Sequence, residues 1–108
     1  FDEDFFIFAE DVDINMRGQL QGFKCIYIPE AKVYHIGTAT VGLYSDRYIF
    51  LCKRNDIFVL IRNYSLRMYF RYLWTILKHQ FNDIKYFTDR GQGLVLFKSN
   101  LDVFKMHL

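Results

Sequence analysis

The chain has 108 residues, 52% of them hydrophobic and 19% aromatic, with 12 Phe and 8 Tyr. That length suits one small domain with a limited core. The formal net charge of +2 is too small to imply a nucleic-acid partner, and there is no signal-peptide pattern or apolar run long enough to span a bilayer.

The charge is unevenly spread. Asp2, Glu3, Asp4, Glu10, Asp11 and Asp13 crowd the start, interleaved with Phe1, Phe5, Phe6, Ile7 and Phe8, whereas Arg and Lys dominate from Lys53 to Lys78. Acids among large apolar side chains are costly to bury unless paired. A pocket wall, which mixes apolar lining with a few placed polar groups, meets both demands.

In chain order, residues 4–8 read as a short strand or extended lead. Residues 11–21 read as a helix, with Val12, Met16 and Leu20 at i, i+4, i+8 as its apolar stripe. Asp13 and Arg17 are placed to pair at i, i+4 in the favourable acid-first order, and Gly22 is a plausible stop. Residues 24–28 and 31–36, β-branched and aromatic, predict two strands separated by Pro29-Glu30. The loop GTATVG at 37–42 lacks the Lys and glycine spacing of a phosphate loop.

Residues 48–63 predict a helix apolar on nearly every face except the turn Lys53-Arg54-Asn55-Asp56. Four consecutive polar residues surround a helix, so that turn must meet water, a charge partner or a ligand. Residues 66–81 predict a further helix, with Arg67, Arg71 and Lys78 on one narrow face around Trp74. Tyr69, Phe70, Leu73, Ile76 and Leu77 lie on the other side. A break at 87–93 precedes a last helix at 94–108. Cys25 and Cys52 lack a Cys-x-x-Cys spacing, which argues against zinc or redox roles and for two buried thiols in a reducing compartment.

Three stretches, FDEDFFIFAEDVDINMRGQLQGF, IYIPEAKVYHIGTATVG and YIFLCKRN, together resemble the C-terminal half of the catalytic domain of glycosyltransferase family 2, the inverting transferases of the GT-A fold. The ordered set is Glu10-Asp11-Val12-Asp13, Arg17, Gly22-Phe23, Pro29-Glu30-Ala31, His35 and Arg54-Asn55; about half the chain follows it closely. The pattern is most similar to rhamnosyltransferase-like members of surface-polysaccharide assembly. The implied fold is α/β, or α+β as an isolated piece, with few short strands followed by helices. Residues 1–43 would be the acceptor side of the catalytic domain and 44–108 a C-terminal helical extension. The chain begins in the middle of the pattern without an initiator Met. The resemblance therefore implies an excised fragment that is inactive alone and prone to self-association, because the nucleotide-binding half and its Asp-x-Asp would lie upstream.

The full enzyme would move a sugar from a nucleotide-diphospho-sugar donor to a glycan or lipid-linked acceptor. Asp11 would be the general base of a direct displacement; on spacing alone it reads as an ordinary acid at a helix N-terminus. Glu10 would hydrogen-bond acceptor hydroxyls, and Glu3 would line the acceptor pocket or hold the Glu10-Asp11 turn. His35 would complete a divalent ion, Mn²⁺ or Mg²⁺, against the alternative of a strand-end histidine bonded to backbone. Arg54 would reach the donor diphosphate, or pair with Asp56 or an acid of the lead. Phe5, Phe6 and Phe8 would stack on sugar rings, or pack in the core. The enzyme would be cytoplasmic, with peripheral contact at the inner face of the membrane.

A second reading needs no catalysis. Residues 62–81 are a basic and aromatic helical unit of the kind that binds a membrane surface or a partner protein.

Overall fold

Ser45 opens the first long helix. Its Oγ accepts the backbone N–H of Tyr48 at 3.1 Å and donates to the carbonyl of Val41 at 2.8 Å, the N-cap arrangement that satisfies an orphan helix donor. Ser65 caps the next helix in the same way through the N–H of Met68. The computed structural model describes residues 2–35 and 41–105. Among these, a 3-10 turn at Glu3–Phe5 is followed by α1 (Glu10–Leu20), α2 (Asp46–Asn63), α3 (Leu66–Asp89) and α4 (Gly93–Lys105). Phe1, residues 36–40 and residues 106–108 lie outside the described residues, and with them most of the GTATVG loop and the ends of the expected second strand and last helix.

α2 is the central element. One face buries Phe58 and Val59 with Phe5 and Val103, and Met16 of α1 packs onto that cluster. Further toward its N-terminus, Ile49 meets Phe87 of α3 and Leu96 of α4. α4 lies along α2, while α3 touches the rest mainly through its C-terminal part. The turn from α3 to α4 runs through Gly91, whose φ of 73° suits glycine, with the Gln92 N–H closing on the carbonyl of Phe87 at 2.7 Å. The break therefore falls at 90–92, and α3 continues past the expected end at 81 because nothing in Asn82–Asp89 stops a helix.

The polar turn of α2 finds partners on three elements. Asn55 is fully buried, and its Nδ2 donates to the carbonyls of Phe5, Ile7 and Phe8 at 2.8–2.9 Å. Arg54 donates to the carbonyls of Asp4 and Phe5 and, through Nε, to Asn55 Oδ1. Lys53 reaches Asp83 of α3 at 3.0 Å and Asp56 at 3.1 Å. The lead they hold is not a strand. It is a 3-10 turn followed by residues with positive φ at Phe6, Phe8 and Ala9, each disfavoured for an L-residue by about 1–2 kcal/mol.

The α/β fold class is corrected: the described residues form an all-α arrangement with no strand. Residues 24–28 and 31–35 carry the alternating β-branched and aromatic pattern of strands but have no ladder partner. Their local hydrogen bonds are Ala31 N–H to the Ile28 carbonyl and Lys32 N–H to the Glu30 carbonyl. Ile26, Tyr27, Val33 and Tyr34 stand in solvent, Tyr34 at 95% exposure. A strand exists only as part of a sheet, and period-2 patterning supplies the side chains without the neighbour. A four-helix arrangement of this kind does not fit a GT-A fragment, so the expected acceptor-side α/β architecture is set aside.

The expected stripe of α1 is also reassigned. Val12 and Leu20 are exposed, and the residues turned inward are Met16 and Asp13. Cys25, expected to be buried, is exposed beside Asn15 and Gln19, because the segment that carries it has no sheet to join.

Asn55→Leu keeps the number of side-chain heavy atoms but removes the amide donor, which leaves the Ile7 and Phe8 carbonyls without it, while the Phe5 carbonyl keeps Arg54. Leaving buried acceptors unpaired costs about 1–3 kcal/mol. We expect the urea midpoint of Asn55→Leu to fall by the equivalent of about 2–3 kcal/mol, with an unchanged denaturant slope. Asp56→Asn, at an exposed position of the same turn, is expected to change it by less than about 0.5 kcal/mol.

Candidate functional site: the exposed face of helix α3

The residues singled out in the sequence do not converge. Glu3 and Glu10 do share one hollow of about 440 Å³, together with Asp2 and Phe6, and Glu10 Oε2 is buried there with no hydrogen-bond partner among the described residues. Asp11 is outside that lining. It is the second residue of α1, exposed, with its Oδ1 accepting its neighbour Val12 N–H at 2.9 Å. His35 is exposed on the extended segment. Among the described residues no three His, Cys, Asp or Glu side chains gather as a metal ion requires.

Arg54 is engaged in structure: besides the lead carbonyls it faces Asp102 of α4 at 3.7 Å. Asp13 is 1% exposed; it pairs with Arg17 at 2.7 Å, as the spacing predicts, and also accepts from Asn63 Nδ2 at 2.9 Å. Asp2 and Asp4 pair with Arg62. Of the lead aromatics, Phe5 is in the core against Phe58 at 4.7 Å, Phe8 meets Tyr48 edge-on at 5.1 Å, and Phe6 is exposed near Arg47.

The feature that does converge lies on α3. Leu66, Phe70, Leu73, Trp74, Leu77, Phe81 and Ile84 follow one another at helical spacing, and all are exposed, Trp74 by 80% and Phe70 by 77%. At 100° per residue they form a continuous apolar stripe about 100° wide. Arg67, Arg71, Lys78 and Lys85 form a second row beside it, next to Trp74. These four are exposed and have no carboxylate partner among the described residues. Arg71 leans on Tyr72 at 5.8 Å. The opposite side of α3, with Tyr72, Ile76, His79 and Asp83, faces α2 across a cleft.

The expected apolar side of this helix thus divides. Ile76 turns toward α2, whereas Phe70, Leu73 and Leu77 remain in solvent. Leu66, Phe81, Ile84 and Lys85 were not singled out from sequence. The signal was present, since the stripe repeats at i, i+4, i+7, i+8, i+11, i+15 and i+18 once the helix runs on past 81.

No protein-family model, curated protein or solved structure matches the chain. Together with the absence of strands among the described residues, this overturns the resemblance to glycosyltransferase family 2, which had rested on short ordered motifs. Their residues have local structural partners instead: Arg17 with Asp13, Gly22 at the end of α1 with a φ of 89°, and Arg54-Asn55 on the lead carbonyls.

What fixes α3 beneath its free face is electrostatic as well as apolar. Lys53 bridges from α2 to Asp83, which also faces His79 Nδ1 at 3.3 Å. Burial pulls the Lys53 pKa down, but the hydrogen bond to Asp83 and the charge of Asp56 outweigh it and leave the ammonium above its ordinary 10.5. Folding therefore favours the protonated form. The stabilisation is complete below the ordinary lysine value and is lost as pH rises through the raised one. We expect the urea midpoint of the natural chain to drop more steeply above pH 10.5 than that of Lys53→Met. The difference between the two separates Lys53 from Tyr48 and Tyr69, whose pKa values are raised from the ordinary tyrosine value.

Proposed function

We propose that the chain is a docking module that lays α3 along the headgroup region of an anionic membrane. The observation that carries this reading is the pairing of an exposed apolar stripe with an adjacent row of unpaired cations on a single 24-residue helix. No helix among the described residues is long and apolar enough to cross a membrane, so the contact is interfacial. Apolar side chains enter the acyl boundary, cations meet lipid phosphates, and Trp74 lies between them, where an amphipathic ring is favoured.

The magnitudes suit reversible attachment. Four cations near an anionic surface contribute about 1 kcal/mol each, or about 4 in all at low salt, and burial of the stripe adds about 25 cal/mol per Å². The helix is already formed and seated on α2 and α4, so binding does not carry the ordering cost that an unstructured amphipathic segment meets. A partner protein with an acidic apolar groove would use the same face; charge complementarity with a lipid surface is favoured because the cations form an open row rather than a pocket. Sugar transfer was implied by the family resemblance alone.

Trp74 is the only tryptophan, which gives a direct test. We expect its fluorescence to shift to the blue, and the protein to sediment, with vesicles of phosphatidylcholine containing phosphatidylglycerol, but not with phosphatidylcholine alone. Changing Arg67, Arg71, Lys78 and Lys85 to Gln is expected to weaken binding by about 100-fold or more at low salt, and added salt should weaken the natural chain in the same direction. Binding indifferent to lipid charge and to these substitutions would overturn the proposal.

A further inference from the structure

Beneath α3, between it and α2, lies a cleft of about 330 Å³, within the range of small-molecule sites. Its body is apolar: Val12 of α1, Val59 and Leu60 of α2 and Ile76 of α3. Tyr64 and Tyr72, with ring centroids 6.3 Å apart, stand along it. Apart from Ala9, the rest of the lining is polar and includes Lys53, Asp56, Asp83 and Asn100.

Three features of that lining ask for the same thing. First, its charge is unbalanced: the single Lys53 ammonium stands against the two carboxylates of Asp56 and Asp83. Second, Asn100 Oδ1 is buried with no hydrogen-bond partner among the described residues, and a buried acceptor without a donor is destabilising. Third, tyrosine ring faces attract cations. An anion would meet Asp56 and Asp83, and a purely apolar guest would leave the excess charge and the Asn100 carbonyl unanswered. A guest that brings N–H donors and a positive charge answers all three.

We infer that the cleft beneath α3 is a binding site for an organic ammonium, a primary amine carried on a compact aromatic or alkyl body. The body occupies the floor between Val59, Leu60 and Ile76. The ammonium lies toward Asp56 and Asp83, where it neutralises the excess carboxylate without displacing Lys53. This site is on the side of α3 away from the proposed membrane face and does not rest on that proposal.

The test is calorimetric titration of the full chain, without lipid, using three probes of nearly equal shape: 2-phenylethylammonium, 2-phenylethanol and 3-phenylpropanoate. The ammonium is expected to saturate at one site and to bind about tenfold or more tightly than the alcohol; the carboxylate should not bind. Asp56→Asn, at an exposed position, should weaken ammonium binding several-fold, and Ile76→Trp should abolish it by filling the floor. Circular dichroism establishes that each variant keeps its helices; should Ile76→Trp fail that check, Asp56→Asn and the probe series decide. Changing Arg67, Arg71, Lys78 and Lys85 to Gln should leave ammonium binding unchanged. Equal affinity for the ammonium and the alcohol, tighter binding of the carboxylate, no saturation by the ammonium, or indifference of a folded Asp56→Asn would each overturn the inference.

Discussion

Asn55 is the residue on which the arrangement depends. Its buried amide holds three carbonyls of the N-terminal lead at once, and Arg54 beside it holds two. Those carbonyls belong to a segment with positive φ at Phe6, Phe8 and Ala9, a course that no local preference favours. The hydrogen bonds of α2 offset that strain, and in doing so they place Phe5 against Phe58 and fix where α1 begins. α1 is entered from Ala9, its N-cap position, which is in the left-handed region and offers no side-chain cap, so its position is set from outside, by α2, and is secured further along by the buried Asp13 bonded to Asn63.

A consequence is that the apolar centre is small and divided. One cluster joins the lead, α2 and α4, and another joins α2, α3 and α4. α3, at 24 residues about 36 Å long, is held by Phe87, by the Lys53 to Asp83 bridge and by Tyr64 against Tyr69 and Tyr72. These contacts leave a cleft on its inner side and a free face on its outer side. Both proposed roles come from this limited seating, because a helix packed along its whole length would have neither.

The extended segment after α1 shows the complementary case. Its side chains carry the strongest β signal in the chain, yet Tyr27, Val33 and Tyr34 face solvent, because a strand is stabilised by a neighbour's backbone and the described residues offer none. The exposed Cys25 follows from the same circumstance. Cys52, by contrast, sits half-buried beside Tyr48 on α2, and burial pushes its thiol up, which favours an unreactive protonated sulfur.

The sequence by itself determined what is local. Residue periodicity located the four helices to within a few positions apart from the longer α3, Ser45 and Ser65 supply N-caps, and Gly22 and Gly91 permit the turns that end α1 and α3. The Asp13 to Arg17 pair was legible because four residues along a helix bring side chains together whatever surrounds them. It was also clear that Lys53-Arg54-Asn55-Asp56 had to meet water, a charge partner or a ligand, although not which of these. Tertiary structure alone decided that Asn55 meets carbonyls 47–50 positions away, that Asp13 rather than Val12 turns inward, and that α3's apolar residues divide between cleft and solvent. Each depends on which distant segment occupies the facing space. An amide, a carboxylate or an apolar side chain carries no local mark of that choice, so motif order alone led to a fold that the described residues do not form.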